Sequence, residues 1–193
     1  MEDAQLVSDV QRLTVSLGQL PEPVAEPVFI AVSGLPGTGK SYFCNRLAER
    51  LSIIILESDA LRKTLFSSPN YSLQESSHLF RAVHLLIEGL LRKGVSLILD
   101  ATNLSERYRE YLYSIADRLS VKLILVRVEA PPQVVHERLK ARQENSEGKS
   151  DADWTVYQRM KPSVQRIHRN HYAVDTSRDI TPVLNKIVRE VVH

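Results

Sequence analysis

Short apolar runs alternate along this chain with longer segments in which apolar residues recur at helical spacing. The apolar runs are rich in β-branched residues and end at polar ones, which is typical of buried strands. We expect five strands, over residues 28–32, 53–56, 95–100, 121–128 and 172–175. Because helical segments separate these runs, the pattern predicts an α/β fold whose five-stranded parallel sheet has helices on both faces.

The helical segments carry apolar residues on one face only. In the segment after the first strand these residues are Phe43, Leu47 and Leu51. We predict helices over residues 3–17, 42–51, 60–66, 72–93, 153–168 and 180–192, one ending near Leu119 and one beginning at Pro131. Prolines at 21, 23 and 27 favour an extended linker. The predicted organisation is therefore an N-terminal helix with its linker (1–27) and one domain (28–193).

The sequence GLPGTGKS follows the first strand and opens the next helix. It fits the phosphate-binding pattern G-x-x-x-x-G-K-S/T, the P-loop, in its required strand–helix context. Glycines let backbone N–H groups curl round a polyphosphate, Lys40 can reach the β- and γ-phosphates, and the Ser41 hydroxyl can ligate Mg²⁺. ATP and Mg²⁺ are the predicted ligands, and a glycine-rich turn without a ligand is the alternative. The predicted nucleotide-binding residues are Gly34, Pro36, Gly37, Thr38, Gly39, Lys40, Ser41 and Tyr42.

Two aspartates lie where predicted strands end, on the edge of the sheet where the P-loop is expected. A carboxylate at the position of Asp100 commonly organises Mg²⁺, so Ser41 and Asp100 are the predicted metal ligands. Asp59 can accept the proton of an attacking hydroxyl, and Arg62, one helical turn on, can grip an anionic acceptor. The alternative for each aspartate is a helix N-cap, and for Arg62 a solvated surface position.

Arg138 and Arg142 are four residues apart on one predicted helix and therefore share a face. The polar segment 143–153 follows them and predicts a mobile loop within a small lid at about 138–155. An arginine carried over the γ-phosphate neutralises charge as it develops, whereas the alternative is an ordinary solvated helix face. The predicted catalytic residues are Lys40, Asp59, Arg62, Arg138 and Arg142.

The composition excludes several functional classes but indicates no further binding or catalytic site. The 193 residues carry a formal charge of +2, so no global field favours nucleic acid or an anionic membrane. Cys44 is the only cysteine, which excludes an intramolecular disulfide and a cysteine-rich zinc site. No apolar run approaches the roughly 20 residues of a membrane span, and the acidic N-terminus lacks the features of a signal peptide. We expect a cytoplasmic protein with no membrane partner.

The segments GLPGTGKS (34–41), SDALR (58–62) and DATNL (100–104) occur in this order. Together they resemble the small P-loop kinases of the polynucleotide 5′-hydroxyl kinase and zeta-toxin type. DATNL is similar to the Asp-x-Thr-Asn-Leu of polynucleotide kinases, and residues 137–142 with 150–153 resemble the lid of the wider family. The resemblance implies a P-loop NTPase fold and an ATP-dependent kinase, over residues 28 to about 192.

The resemblance also implies roles for single residues. Lys40 and Ser41 would serve ATP and Mg²⁺, and Asp59 would be the general base. Arg62 would hold the acceptor's phosphate, and Arg142 would be the lid arginine. Asp100 would lie beside the metal and the acceptor, and residues 172–178 would lie near the adenine.

Three functions stay open at this point. The first is a kinase whose acceptor is a nucleic-acid 5′-hydroxyl end, which the resemblance favours. The second is a kinase for a small molecule such as a sugar, a nucleotide sugar or an antibiotic. The third is a nucleotide-dependent switch or partner-binding ATPase, which needs a water-positioning residue and no acceptor clamp.

Overall fold

Five parallel strands form one sheet in the computed structural model, which describes residues 2–145 and 152–192. Their order across the sheet is β2-β3-β1-β4-β5. The predicted α/β fold with a five-stranded parallel sheet is therefore confirmed. The strands are β1 (Val28–Ser33), β2 (Ile54–Glu57), β3 (Leu97–Asp100), β4 (Lys122–Glu129) and β5 (Tyr172–Asp175).

The helices occupy both faces of the sheet, and most of them lie within a few residues of their predicted bounds. They are α1 (Glu2–Ser16), α2 (Lys40–Ala48), α3 (Ser58–Leu65), α4 (Leu73–Arg92), α5 (Glu106–Leu119), α6 (Pro132–Asn145), α7 (Trp154–Met160) and α8 (Thr181–Val192), with a 3₁₀ turn at Lys161–Ser163. Two core clusters, one on each side of the sheet, share the buried side chains of β1: Phe29 and Ala31 face one, and Ile30 and Val32 face the other.

The predicted helix over 153–168 is wrong in its second half. Helix α7 ends at Met160, and the chain passes through the 3₁₀ turn into irregular structure. Pro162 explains the early end, because a proline has no N–H to donate and its ring clashes with the preceding helical turn. The segment that follows is thereby free to run across the carboxyl edge of the sheet.

The predicted polar loop over 143–153 is also wrong at its start, because α6 remains helical as far as Asn145. Residues 146–151, which form the middle of the predicted lid, lie outside the described residues. The proposed lid at about 138–155 therefore stays a prediction.

Helix α1 packs on α3 and α4 rather than standing apart from the domain. Leu6 and Leu13 enter the same core as β1 and α4. Its buried Asp9 lies 2.8 Å from Nε2 of His78 on α4. The division of the chain at residue 28 stays a prediction. Within the described ranges, no helix combines the length and apolar character needed to cross a membrane.

The strand register brings the candidate side chains to one edge. Strand β1 lies between β3 and β4, with Val32 opposite Asp100 and Ser33 opposite Arg127. Glu57, at the end of β2, is also opposite Asp100. Because all strands are parallel, the P-loop after β1 and helix α3 after β2 both begin at this carboxyl edge.

Candidate active site

The P-loop glycines are required by close packing as well as by backbone conformation. Gly37 and Gly39 have φ angles of 77° and 92°, in the left-handed region that disfavours a side chain. A Cβ atom on Gly37 would lie 2.9 Å from Val135 and Leu139 of α6. A Cβ atom on Gly39 would lie 2.9 Å from Oγ1 of Thr176. The loop is thus held on two sides while its backbone N–H groups surround the start of α2.

Lys40 is the first residue of α2, and its ammonium group folds back over the loop. Its Nζ donates to the carbonyl of Leu35 at 3.1 Å. Burial lowers the pKa of Lys40 below its ordinary value, while the nearby charges of Asp100 and Asp59 act to raise it. Because Lys40 is desolvated, further negative charge beside it stabilises its charged form, and a bound polyphosphate supplies that charge.

Ser41 and Asp100 are in contact, although they are 59 positions apart in sequence. The Ser41 hydroxyl donates to Oδ2 of Asp100 at 2.6 Å, and Asp100 is buried. A hydroxyl oxygen beside a carboxylate oxygen is the donor set that Mg²⁺ takes next to a bound phosphate, so these residues fit the ion. Asp100 is not a helix N-cap, because Ser105 caps α5 by accepting from the N–H of Tyr108.

Asp59 lies within the first turn of α3, at the carboxyl edge of the sheet. Helix α3 begins at Ser58, directly after β2, and the N-cap position belongs to Glu57. The plain N-cap interpretation of Asp59 is therefore wrong. Asp59 is half-buried and is close enough to Lys40 to influence its pKa. The helix N-terminus favours a negative charge at this position.

Arg62 is buried, which excludes the solvated surface position. Its Nη1 donates to Oε1 of Glu75 in a salt bridge, and its Nη2 donates to the Ser76 hydroxyl at 3.2 Å. The ring of Tyr71 lies over the guanidinium, 4.7 Å from its carbon. Arg62 thus lies one turn from Asp59, as predicted, but protein groups already contact its guanidinium.

The two arginines of α6 contact different parts of the site. Arg138 donates to Oγ1 and to the carbonyl oxygen of Thr176, at 2.8 and 2.9 Å. Arg142 is near Lys40, since its charge lowers the pKa of that ammonium. A purely solvated position is therefore wrong for Arg138, whereas Arg142 is half-buried. Of the pair, Arg142 is the one placed toward the phosphate-binding loop.

The remaining predicted residues of the loop are Pro36, which is buried, and Tyr42, which is exposed on α2. Thr38 is buried, and its hydroxyl donates to the carbonyl of Leu35 at 2.7 Å. Ser41 is exposed at the helix start. The N-terminus of α2, where this loop ends, is a position at which backbone N–H groups bind anions.

Thr176 and Asn103 support the loop and were not predicted. Thr176 donates from Oγ1 to the carbonyl of Thr38 at 2.5 Å. Asn103 donates from Nδ2 to the carbonyl of Val32 at 2.8 Å, and the N–H of Gly34 donates to the carbonyl of Thr102. Asn103 has a φ of 44°, which asparagine tolerates better than most residues. Its place in DATNL was the one available signal.

Arg109 is the most completely buried charged residue near this edge, at 1% exposure. It forms a salt bridge with Glu106, which lies one turn before it. It also donates to the backbone carbonyls of Asn103, Leu104, Gln165 and Arg166. Arg109 therefore joins the loop after β3 to the irregular segment after α7.

We expect Arg109→Met to lower the free energy of unfolding by about 3–5 kcal/mol, because it leaves four backbone carbonyls and the half-buried carboxylate of Glu106 without their donor. Urea denaturation followed by circular dichroism measures the change. Arg107→Met, at an exposed position on the same helix, is the matched control and should change stability by less than about 0.5 kcal/mol. Equal stability of the two variants would contradict this structural role.

The chain has similarity to one characterised domain family. A family model described as an AAA domain matches residues 29–167, which is well over half of the chain. This range contains the P-loop, Asp59, Arg62 and Asp100. The finer resemblance to polynucleotide kinases and zeta toxins is not confirmed by the match and stays a prediction.

Several solved structures share the fold. The crystal structure of APE1195 is 18% identical, with a TM-score of 0.71, over 89% of this chain and 98% of that one. A gluconokinase from Sinorhizobium meliloti 1021 is 19% identical, with a TM-score of 0.63, over 86% and 92% of the two chains. The APS kinase CysC of Mycobacterium tuberculosis, in complex with AMPPNP and APS, is 18% identical, with a TM-score of 0.63, over 89% and 100%. At these identities the matches show the fold alone.

Proposed function

The chain belongs to the AAA-domain family, and we propose that it is an ATP-dependent kinase that transfers the γ-phosphoryl group of ATP to a hydroxyl of an acceptor. One observation carries the proposal: Asp59 lies across the carboxyl edge from Lys40, close enough for its charge to act on that ammonium. A P-loop alone binds a nucleotide. A carboxylate facing the same point gives the attacking hydroxyl a base.

In this proposal the P-loop holds ATP. Backbone N–H groups and the N-terminus of α2 bind the phosphates. Lys40 neutralises charge between the β- and γ-phosphates, and Arg142 approaches from α6 to neutralise charge that develops in the transition state. Arg138 acts through Thr176, which in turn holds the loop at Thr38, so we assign Arg138 a positioning role rather than a catalytic one.

Mg²⁺ would be held by Ser41 and Asp100. When bound, it would supply positive charge that offsets the negative charge of the phosphates. Asp59 would accept the proton of the acceptor hydroxyl as that oxygen attacks the γ-phosphorus, while the bond to the β-γ bridging oxygen breaks and ADP leaves. Arg62 would form part of the surface that contacts the acceptor, beside Asp59.

The acceptor class distinguishes the remaining candidates. The resemblance in DATNL favours a nucleic-acid 5′-hydroxyl end, whereas the gluconokinase and APS kinase of similar fold favour a small molecule by analogy of fold. A switch or partner-binding ATPase would need neither Asp59 nor a structured pocket at Arg62. We favour the small-molecule kinase, because the arginine expected to grip a nucleic-acid phosphate is already paired.

A transfer assay with γ-³²P-labelled ATP tests the proposal. The acceptors are 5′-hydroxyl oligonucleotides on one side and a panel of sugars, polyols, nucleotide sugars and aminoglycoside antibiotics on the other. We expect label in an acceptor from the small-molecule panel. Label in the oligonucleotides would move the assignment to a polynucleotide kinase. Release of inorganic phosphate alone, with every acceptor, would contradict the kinase and support the ATPase.

A further inference from the structure

The acceptor side of the site contains a buried ion pair. Arg62 and Glu75, on α3 and α4, are both buried, and their side chains form a salt bridge. The charge of the guanidinium is therefore matched inside the protein before any acceptor binds.

Glu75 is itself fixed by the backbone of the preceding loop. The N–H of Asn70 donates to its Oε2 at 2.8 Å, and the N–H of Tyr71 donates to its Oε1 at 3.2 Å. Burial acts to raise the pKa of Glu75, but the Asn70 N–H and Arg62 outweigh it, and the pKa lies below its ordinary value. Glu75 is thus ionised at neutral pH, and its carboxylate accepts from three donors: Arg62 and the N–H groups of Asn70 and Tyr71.

Within the described residues, Glu75 offsets the positive charge of Arg62, so this ion pair adds no net charge to the acceptor side. Asp59, one turn before Arg62, adds a second carboxylate. Lys40 and Arg142 are near each other on the nucleotide side, where the triphosphate takes up their charge. With ATP bound, an incoming phosphate would meet the γ-phosphate and Asp59, while the arginine beside them, Arg62, is already paired with Glu75. Like charges that lie close together in a partly buried site repel one another strongly.

Tyr71 adds an aromatic ring to the acceptor side. It has a φ of 55°, a conformation that is uncommon for an aromatic residue. Its ring lies over Arg62, and 45% of the residue is exposed. A partly exposed aromatic residue beside the site suits a sugar, whose C–H groups pack on a ring, and Asp59 offers a carboxylate to which sugar hydroxyls can donate.

We propose that the acceptor is an uncharged sugar or polyol, and that Glu75 determines this specificity by occupying Arg62 and thereby excluding phosphate-bearing acceptors. The inference rests on the proposed kinase function, since it names the acceptor class of the same site. Glu75 is a positioning residue, because it acts through Arg62 and the backbone of the loop at 70–71.

Binding of inorganic phosphate tests the charge argument without an acceptor. Isothermal titration is done with the P-loop saturated by Mg²⁺ and AMPPNP, so that only a second anion site is measured. Glu75→Gln keeps the shape of the side chain and one of the two oxygens that accept from the loop, but it removes the charge. We expect the variant to bind phosphate at least about tenfold more tightly than the wild type, because Arg62 is then unmatched.

Two further variants make the result specific. Glu88→Gln breaks a remote carboxylate–arginine cluster with Arg92 and Arg118, and it should leave phosphate binding at the wild-type level. Combining Glu75→Gln with Arg62→Gln should abolish the gain. A wild type that binds phosphate as tightly as Glu75→Gln would overturn the inference, as would a gain that survives the loss of Arg62.

If Glu75→Gln does not fold, transfer kinetics on the wild type test the inference about the acceptor instead. Each sugar is compared with its own phosphate monoester as acceptor. We expect kcat/KM at least about tenfold higher for the uncharged member of each pair. A preference for the monoester would overturn the inference, whereas no transfer to any acceptor would overturn the proposed kinase itself. The two failures are therefore distinguishable.

Discussion

Asp59→Asn is expected to lower the rate of phosphoryl transfer by about 10²–10⁴ and to leave ATP affinity and melting temperature unchanged. The amide keeps the size of the carboxylate but cannot accept a proton from the attacking hydroxyl. The helix N-cap is Glu57, so Asp59 holds no cap whose loss would destabilise α3. The predicted effect is therefore on catalysis rather than on folding.

A titration with Mg-ATP, a thermal melt and a transfer assay on one purified variant separate these effects. Asp117→Asn is the control, since Asp117 is an exposed carboxylate near the end of α5, where it accepts from Arg169 rather than from any residue of the site. That variant should transfer phosphate at the wild-type rate. Near wild-type transfer by Asp59→Asn would contradict the general-base role, and Asp100 would become the next candidate.

Lys40→Ala is expected to lower the transfer rate by about 10²–10³ with the fold intact, since it removes one preorganised charge from the β- and γ-phosphates. The ammonium is desolvated, as the lowered pKa of Lys40 indicates, so its removal relieves a buried charge rather than leaving a gap in the core. The fold should therefore tolerate the change.

Initial rates at saturating acceptor, together with circular dichroism, measure this effect. Lys186→Ala, at an exposed position on α8, controls for the loss of a lysine in general. Equal turnover by Lys40→Ala and Lys186→Ala would contradict the assignment of the P-loop lysine. A lower rate with an unfolded spectrum would instead assign Lys40 to structure.

The fold could be predicted because its signals are local. The strands are short apolar runs, the P-loop lies between a strand and a helix, and parallel pairing then places every strand end on one edge. The error over 153–168 came from weighing helical periodicity above Pro162. The N-cap alternative for Asp59 was wrong because α3 begins directly after β2, with no loop between them. No residue type in the sequence marks so direct a transition.

The side-chain partners could not be predicted, since they join distant parts of the chain. Arg62 and Glu75 are 13 positions apart, and only the packing of α4 on α3 shows that the arginine is already paired. Thr176 supports Thr38 across 138 positions. Arg109 looked like one of many helix arginines in a chain with 25 basic residues, and its burial depends on the irregular segment beside it.

The fate of the γ-phosphate tests the kinase proposal most directly. Phosphorus NMR follows Mg-ATP with the protein and the acceptor selected by the transfer assay. The account predicts that the γ resonance of ATP falls while a phosphomonoester resonance, coupled to the protons of the acceptor carbon, grows by the same amount. Asp59→Asn should show neither change on that timescale. Growth of inorganic phosphate alone, matching the loss of ATP, would contradict phosphoryl transfer at this site.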